Sequence, residues 1–367
     1  MSRNKPLIQV EKLDKHMKAN TVTGDSLQWH NPKQSPFEIN GFAWFKEEEI
    51  FRRLPLQPKY EVTEAVDILA NCTAGGQVRF RTNSKKLAVK VRLQGKANMF
   101  HMPATGQCGF DCYIGEPGEQ RFAGVTKYDH TQEQYEVTLF ERQEEDSVLI
   151  TLNFPLYQGV KELWIGLQAG SAIQPPPPYP SEKRLIFYGT SILQGGCASR
   201  PGMAYTNILS RTLNREIINL GFSGNGKGEA NMAKLIREIE DPACLVLDYE
   251  PNCVSTALYK ETLPRFIQLY REVHAEVPIL VISKYPYAHE IVNPALREDR
   301  LERLSFQKQL IQQLQEAGDQ RLYFYDGTDL LGENGHEKTV DGSHATDLGF
   351  MSIAEKLTPI LQKIVSK

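Results

Sequence analysis

The chain has 367 residues, of which 41% are hydrophobic and 24% charged, and its formal net charge is −3 at pH 7. This composition is typical of a globular protein, and the length favours two domains over one. A chain without a strong basic block lacks the cationic surface that nucleic-acid binding requires, and no apolar run approaches the roughly 18 residues of a membrane span. We therefore expect neither a nucleic acid nor a membrane as a partner.

The N-terminal residues 1–5 are followed by polar sequence without the apolar core of a secretory signal. They predict a cytoplasmic protein, or a secreted one if a leader preceded them. The cysteines are too few and too scattered for a disulfide scaffold, so we expect buried free thiols. They are Cys72, Cys108, Cys112, Cys197, Cys244 and Cys253.

Residues 1–173 show the period-two pattern of half-buried β-strands. Hydrophobic and polar side chains alternate in segments 78–81, 87–93 and 135–139, and segment 147–154 is a further strand. Strict alternation places one face of each strand in a core and the other in water. Several short strands separated by turns predict a β-sandwich domain.

A run of four prolines at residues 175–178 separates the two halves of the chain. Such a run can neither continue a helix nor occupy a central strand, and it is extended and stiff. We therefore place a linker at residues 174–181 and a second domain at residues 182–367. A ligand for a proline-reading domain is the alternative interpretation.

The second half alternates continuous apolar strands with amphipathic helices. The predicted strands are 184–188, 216–220, 244–248, 278–283 and 321–325, and the predicted helices are 203–213, 229–240, 258–273, 294–317 and 347–365. This order predicts a parallel sheet that is covered by helices on both faces. Ligands of such sheets bind beyond the carboxyl ends of the strands, so the residues that follow each strand are the site candidates.

Ser191 follows the first of these strands in a strand-to-helix turn, where its hydroxyl is exposed near the amides of a helix end. Capping of the next helix is the alternative role. After the fifth strand, Asp341 precedes His344 in a segment that leads into the last helix. A carboxylate bound to one ring nitrogen fixes the tautomer and leaves the other nitrogen as a base.

Two alternatives compete for this second segment. Asp347 can cap the last helix while His344 is incidental, or His336, Asp341 and His344 can bind a metal. The metal interpretation lacks a recognised ligand spacing.

A glycine-rich loop, residues 221–228, follows the second strand. It can present backbone N–H groups to an oxyanion, bind a phosphate, or serve only as a turn. The phosphate pattern fits Gly221, Gly226 and Lys227, but Gly228 stands where the magnesium-binding hydroxyl belongs. Asn252 follows the third strand and can donate to a developing negative charge or act as a turn residue.

In chain order, Ser191, Gly224, Asn252 and the Asp341/His344 pair match the four blocks of the SGNH (GDSL-type) hydrolases, and residues 182–367 resemble that family. The resemblance implies a flavodoxin-like, three-layer α/β/α sheet. Thr190 replaces the family's usual aspartate.

The first half carries a second resemblance. Residues 109–113, Gly-Phe-Asp-Cys-Tyr, are similar to the G-x-D-L-Y signature of a β-rich domain that precedes some SGNH esterases, with Cys112 in place of leucine. It implies an all-β, jelly-roll-like sandwich before the hydrolase, as in carbohydrate esterases that remove acetyl groups from sugars.

The resemblance implies a serine esterase without metal or cofactor that acts on short-chain O-acyl esters, chiefly O-acetyl esters of a small molecule or oligosaccharide. Ser191 would be the nucleophile, His344 the base and Asp341 its orienting partner, with Ser191, Gly224 and Asn252 as the oxyanion hole. A nucleotide-binding enzyme and a non-catalytic glycan-binding protein are the alternatives. Oligomeric state is not predicted.

Several further residues are candidate substrate contacts. They are Asp111 and Tyr113 of the first domain and Tyr249 and Tyr285 near strand ends, with Tyr205 and Tyr287 as further aromatic candidates. Ordinary packing is the alternative role for the tyrosines.

Overall fold

The structure is a computed structural model that describes residues 12–14, 17–20, 22 and 27–366. Residues 1–5, on which the prediction of cellular location rests, lie outside this part of the chain. Within it, no helix combines the length and the apolar composition that crossing a membrane requires.

The first domain is a sandwich of two antiparallel sheets with short helices between the strands. Its strands are β1 (Leu27–His30), β2 (Glu38–Asn40), β3 (Gln77–Thr82), β4 (Lys86–Leu93), β5 (Asp111–Ile114), β6 (Arg121–Val125), β7 (Gln134–Glu141), β8 (Val148–Asn153), β9 (Val160–Gln168) and β10 (Ile173–Gln174). Its helices are α1 (Phe45–Glu48), α2 (Glu64–Ala70) and α3 (Ala104–Gln107).

One sheet has the strand order β1-β9-β4-β7 and the other β10-β3-β8-β5-β6, with β2 also paired to β3. The inward apolar side chains of both sheets, among them Phe80, Val89, Leu152 and Ile165, form one buried core. The predicted β-sandwich is confirmed.

The prediction that one face of each sheet is exposed to solvent is wrong for the sheet that contains β3. Arg79, expected on that face, is only 2% exposed. Its guanidinium lies 3.9 Å from the ring centroid of Tyr179 and donates a hydrogen bond to the carbonyl oxygen of Pro177, 2.9 Å away. The proline-rich segment therefore packs on the sandwich and covers this face.

The second domain is a parallel five-stranded sheet between two helical layers. Its strands are β11 (Arg184–Gly189), β12 (Ile217–Gly221), β13 (Pro242–Asp248), β14 (Ile279–Ile282) and β15 (Leu322–Tyr325). Its α-helices are α4 (Ser191–Gln194), α5 (Tyr205–Leu213), α6 (Ala230–Ile236), α7 (Thr256–Arg271), α8 (His289–Val292), α9 (Pro294–Glu316) and α10 (Asp347–Val365).

The strand order β12-β11-β13-β14-β15 is that of flavodoxin-like sheets, which confirms the predicted fold class. Successive residues of the central strand β11 point into opposite cores, because side chains alternate along a strand. Ile186 and Tyr188 enter the core under α6, α7 and α9, whereas Leu185 and Phe187 enter the core under α4, α5 and α10.

The first domain contributes to both of these cores, and Ala74, Met102 and Leu156 are buried in the cluster that contains Leu185 and Phe187. Leu54, Val66 and Ala70 are buried in the same cluster as Tyr188 and Phe222 of the second domain. The two halves of the chain are therefore packed together, and the division at residues 174–181 stays a prediction. All six cysteines are free and five of them are buried, as predicted.

Candidate active site

Ser191 is the first residue of α4, directly beyond the carboxyl end of β11, and it is 9% exposed. The helix is capped by Thr190, whose Oγ1 accepts a hydrogen bond from the N–H of Ile192 at 3.2 Å. The interpretation of Ser191 as the cap is therefore wrong. Thr190 stands where the resembling family usually has aspartate, and its hydroxyl fulfils the capping role that a short acceptor side chain gives at this position.

The structure brings the predicted serine, histidine and aspartate together. Ser191 Oγ lies 2.9 Å from Nε2 of His344, although the two residues are 153 positions apart. Nδ1 of the same ring lies 2.7 Å from Oδ2 of Asp341. Both imidazole nitrogens are thus within hydrogen-bond distance of an oxygen, in the geometry that a serine, a base and a carboxylate need to share a proton.

A tight turn orients the Asp341 carboxylate. Its Oδ1 accepts hydrogen bonds from the N–H groups of Ser343 at 3.0 Å and His344 at 2.8 Å. Gly342, between Asp341 and Ser343, has the φ of 89° that this turn requires. Partial burial raises the pKa of Asp341, but the hydrogen bonds from His344 and Ser343 outweigh it and hold the pKa well below its usual value. The carboxylate is therefore charged at neutral pH and fixes the imidazole.

The alternative role of Asp347 as a helix cap is wrong. The cap of α10 is Thr346, whose Oγ1 accepts from the N–H of Gly349 at 3.4 Å. Asp347 instead accepts hydrogen bonds from the N–H of Ser199, at 2.8 Å, and from its hydroxyl. It thereby ties the loop that follows α4 to the helix that follows His344.

The glycine-rich loop uses most of its backbone N–H groups inside the protein. The N–H groups of Asn225 and Gly226 both donate to the carbonyl oxygen of Phe222, and the N–H of Phe222 donates to the carbonyl oxygen of Gly189. The other three donate to side chains: Ser223 to Gln194 Oε1, Lys227 to Glu229 Oε2, and Gly228 to Tyr188 Oη. Among residues 222–228, all of which the structure describes, the N–H of Gly224 is the exception. A phosphate-binding loop directs several N–H groups at its ligand, so this geometry disfavours the nucleotide interpretation.

Three groups remain as candidate donors to an oxyanion. Gly224 has a φ of 68° with no atom within 4 Å of an added Cβ, so the backbone conformation, not space, requires glycine there. Nδ2 of Asn252 gives one hydrogen to the carbonyl oxygen of Phe222 at 3.0 Å and retains a second. The N–H of Ser191 belongs to the first turn of α4, where backbone donors lack helical acceptors.

Asp111 and Tyr113, predicted as substrate contacts, lie in the domain interface instead. Asp111 is fully buried, and its Oδ2 accepts from Arg200 Nη1 and from the N–H of Gly202, each at 2.8 Å. Arg200 also donates to the hydroxyl of Tyr113 at 2.6 Å. The prediction is wrong because the sequence signature singles out these residues but does not show whether they face the substrate or the other domain.

The tyrosines near the strand ends also have packing roles. Tyr249 and Tyr205 are 1% and 0% exposed, and their hydroxyls bond to Thr262 and Asp248. Tyr285 is 4% exposed and donates to the carbonyl oxygen of Ser343 at 2.5 Å, so it supports the turn beside His344. The substrate role predicted for Tyr249 is therefore wrong. Tyr285 instead stabilises the backbone of the residue that precedes His344.

Among the described residues, His344 shares a possible ligand cluster with His101 and Cys197, but not with His336, the metal ligand considered from the sequence. The side chain of His336 is exposed beside Glu337 and borders a cavity of about 460 Å³ that Tyr285 and Tyr287 also line. The structure thus does not assemble His336 with Asp341 and His344.

First-domain residues that sequence reasoning missed complete the surroundings of Ser191. Tyr157 donates its hydroxyl to the carbonyl oxygen of Ser191 at 3.1 Å. The ring of His101 meets the ring of His344 edge-on at a centroid distance of 5.7 Å. A cavity of about 560 Å³ lies between the domains and is lined by Met99 and Tyr157 on one side and by the glycine-rich loop on the other. No pattern in the sequence marked these residues, because loops of a different domain bring them here.

Comparisons with known proteins agree with this architecture. The model of the GDSL-like lipase/acylhydrolase family matches residues 182–362, and the GxDLY model, the N-terminus of SGNH-hydrolase-type esterases, matches residues 27–173. No curated protein sequence matches the chain.

Among solved structures, a protein from Bacteroides ovatus described as a GDSL-like lipase has a TM-score of 0.85 and 30% identity, covering 93% of this chain and 98% of that chain. The salicylyl-acyltransferase SsfX3 of a tetracycline biosynthetic pathway has a TM-score of 0.74 and 19% identity over 92% of this chain and 97% of its own. A family two carbohydrate esterase from Cellvibrio japonicus has a TM-score of 0.60 and 15% identity over 93% and 98%. The last two show a shared fold.

Both halves of the chain thus match the two parts of one known architecture, and the Bacteroides ovatus protein shares that architecture over nearly its whole length. The chain belongs to the GDSL-like lipase/acylhydrolase (SGNH) family and is an acylhydrolase of the type that carries an N-terminal GxDLY domain.

Proposed function

We propose that the protein is a serine esterase that hydrolyses short-chain O-acyl esters, chiefly O-acetyl esters, of a carbohydrate. The observation that carries the proposal is the pair of contacts made by one imidazole ring. Nε2 of His344 lies 2.9 Å from Ser191 Oγ, and Nδ1 lies 2.7 Å from Asp341 Oδ2.

In the first half-reaction, Ser191 Oγ attacks the ester carbonyl carbon and its proton passes to Nε2 of His344. Asp341 holds the ring and stabilises the imidazolium. The carbon–oxygen bond to the alcohol then breaks, and the alcohol leaves with the proton from His344. The acyl group remains on Ser191.

In the second half-reaction, water gives a proton to His344 and attacks the acyl carbon. The bond to Ser191 Oγ breaks, the proton returns to Ser191, and the carboxylic acid leaves. In both halves the carbonyl oxygen becomes negative and accepts hydrogen bonds from the N–H groups of Ser191 and Gly224 and from the amide of Asn252. Donors that are already fixed before the reaction stabilise such a charge without reorganisation.

The cavity between the domains supports a carbohydrate as the alcohol. Its volume of about 560 Å³ lies within the range of sites for small ligands, and Ser223 and Asn225 place it beside Gly224. Side-chain amides of Gln94, Asn98 and Gln158 line it. Amides both donate and accept hydrogen bonds, which suits the hydroxyl groups of a sugar.

An exposed aromatic ring next to this cavity favours the same substrate class. Phe100 is 96% exposed, and it follows Met99 of the cavity wall. A solvent-exposed ring of this kind offers an apolar face on which a sugar ring can stack. The acetyl group comes from the family resemblance rather than from the size of a pocket.

Fluorophosphonate labelling tests the chemistry, because such reagents react with an activated serine. We expect the intact protein to be labelled at Ser191 and Ser191→Ala to be unlabelled. Ser210→Ala is the matched control, since Ser210 is a buried serine of α5 whose hydroxyl donates to the carbonyl oxygen of Arg215, and it should be labelled like the wild type. Absence of labelling in the wild type, together with glycan binding, would favour the non-catalytic alternative.

Acetate release tests the substrate. Acetylated oligosaccharides should be hydrolysed with a higher kcat/KM than an acetyl ester of a simple alcohol, and Phe100→Ala should remove that preference while leaving the simple ester unaffected. Equal kcat/KM for both substrates would contradict a carbohydrate alcohol. Thermal stabilisation by ATP that depends on Lys227 would support the nucleotide alternative instead.

A further inference from the structure

We propose that His101, Cys197 and His344 form a binding site for a soft divalent cation of the Zn²⁺ type, and that a cation bound there switches the esterase off. One ligand atom from each of the three residues lies within 4.8 Å of the others. The binding is independent of the proposed function, whereas the inhibition rests on it.

The donor set fits zinc better than a hard cation. Two imidazole nitrogens and a thiolate are typical zinc ligands, whereas Mg²⁺ and Ca²⁺ prefer oxygen. Zinc bonds of about 2.0 Å to nitrogen and about 2.3 Å to sulfur correspond, at tetrahedral angles, to ligand separations of about 3.3–3.6 Å. Side-chain movements on the order of 1 Å would therefore close the site, with water as a fourth ligand.

His344 can offer only one nitrogen to a metal. Its Nδ1 is bound to Asp341 at 2.7 Å, so Nε2 is the free donor. A carboxylate behind a metal-binding imidazole is the arrangement that holds such a ring in the correct tautomer. The lone pair of Nε2 is the same one that receives the proton of Ser191, 2.9 Å away. A bound cation and base catalysis by His344 therefore exclude each other.

Cys197 has a backbone conformation that costs energy. Its φ is 76°, in the left-handed region that favours glycine, and it follows two glycines, Gly195 and Gly196. The next residues are clamped, because Thr105 donates to the carbonyl oxygen of Ser199 at 2.6 Å and Asp347 binds the same residue. In this strained conformation the thiol of Cys197 lies next to His344.

The Cys197 thiol is not a competing nucleophile. Burial raises the pKa of Cys197 to about 12, and the Asp341 carboxylate adds to the rise. A zinc ion would bind the thiolate, and the thiol proton would pass to solvent.

His101 supplies the third ligand from the first domain. Its ring meets His344 edge-on at a centroid distance of 5.7 Å. Its Nδ1 is buried and has no hydrogen-bond partner among the described residues. A buried ring nitrogen without a partner is costly unless a ligand satisfies it, so a bound cation would satisfy it.

Calorimetry with Zn²⁺ on the intact chain tests the site without any activity assay. We expect one zinc per chain in the wild type and in Ser191→Ala, which retains all three ligands. Cys197→Gly and His101→Gln should bind zinc at least about tenfold more weakly. Loss of a residue that only orients a metal ligand already lowers metal affinity by about that factor, and these two are ligands themselves. Cys253→Ser, which removes a buried thiol elsewhere, is the matched control and should bind like the wild type. Wild-type affinity in Cys197→Gly would overturn the proposal.

Cobalt gives a second signature. Co²⁺ bound to the wild type should show a sulfur-to-cobalt charge-transfer band that is missing in Cys197→Gly and retained in Cys253→Ser. Cobalt bound by the wild type without this band would overturn the assignment of Cys197 as a ligand.

Inhibition is measured as the fraction of each variant's own metal-free activity. Zn²⁺ should inhibit the wild type, a chelator should restore it, Mg²⁺ should have no effect, and Cys197→Gly should need at least about tenfold more zinc. Zinc that binds without lowering activity, or raises it, would overturn the inhibitory role. If the wild type lacks esterase activity, the proposed function fails, while calorimetry still decides the binding.

Discussion

The hydroxyl of Tyr157 donates a hydrogen bond to the carbonyl oxygen of Ser191 across the domain boundary, at 3.1 Å. The approach is so close that a Cβ on Gly196 would lie 2.8 Å from the same hydroxyl. The first domain therefore helps to position the backbone of Ser191, the residue proposed as nucleophile.

Tyr157→Phe should lower kcat by about 2- to 10-fold, because a net hydrogen bond is worth about 0.5–1.5 kcal/mol and this one orients Ser191. Steady-state kinetics with an acetyl ester measures the effect. Tyr179→Phe is the matched control, since it removes a similar bond, to Oε1 of Gln77 at 3.1 Å, away from Ser191. Equal kcat losses in the two variants would show that only general stability is affected.

Ser191→Ala and His344→Ala should each reduce kcat by about 10⁶-fold, because the nucleophile and its base act as a unit. Asp341→Asn should reduce it by about 10⁴-fold, since the ring loses its fixed tautomer and a charged partner. Single-turnover and steady-state assays on purified, folded variants measure both. Turnover by Ser191→Ala at the wild-type rate would end the proposal.

The oxyanion donors should each contribute less than the nucleophile. Asn252→Ala removes a side-chain donor and should reduce kcat by about 10²–10³-fold with little change in KM. Gly224→Ala meets no steric obstacle but strains the φ of 68° that aims its N–H, so kcat should again fall. Gly318→Ala is the control, because Gly318 has a φ of 114° and open space in a distant turn, and it should lower only stability.

Asp111→Ala should destabilise the folded protein by about 3 kcal/mol, because it leaves Arg200 without its buried partner in the interface. The kcat should fall as well, since Arg200 belongs to the loop between α4 and α5 that also carries Cys197. Urea unfolding and kinetics measure the two effects. Glu144→Ala, at an exposed position of the same domain, should change neither, and an unchanged stability of Asp111→Ala would contradict the interface role.

The sequence predicts the sheet of the second domain well, because apolar runs such as Leu185–Tyr188 are local and their burial leaves few other arrangements. Ser191, Asp341 and His344 could be found for the same reason: each follows a strand of one parallel sheet, whose carboxyl ends meet at one edge. Once each residue is assigned to the loop after its strand, the parallel sheet places all three at the same edge.

Residues that act through the domain interface could not be found this way. The sequence suggests that Arg79 and Asp111 are surface or site residues, because the alternation of a strand does not show what covers its outer face. The proline-rich segment covers Arg79, and the second domain covers Asp111. His101 and Tyr157 lie in first-domain loops whose positions depend on how the two domains pack. Tyr249 follows a strand, as a site residue would, yet its ring lies in the core with Tyr188 and Phe266.

Asp248 carries the last prediction, which concerns stability and pH. Burial raises the pKa of Asp248 to about 7; the hydrogen bond from the Tyr205 hydroxyl opposes this rise and the charge of Glu250 adds to it. In the unfolded chain the same carboxyl has a pKa of about 3.9. Between these two values the folded protein binds a proton that the unfolded chain has lost. The contribution of Asp248 to stability is therefore fully present below about pH 4 and is lost as the pH rises to about 7.

Asp248→Asn keeps a neutral acceptor for the Tyr205 hydroxyl, which bonds to Asp248 Oδ2 at 2.7 Å in the wild type, but it cannot ionise. The free energy of unfolding of the variant, minus that of the wild type, should increase by a few kcal/mol, on the order of 1.4 kcal/mol per pH unit, from about pH 4 to about pH 7 and then level off. Denaturant unfolding at several pH values measures this difference, in which the other titrating groups cancel. A difference that stays constant over the whole range would show that the folded protein does not hold Asp248 in its protonated form, and that the partly buried end of β13 carries a charge.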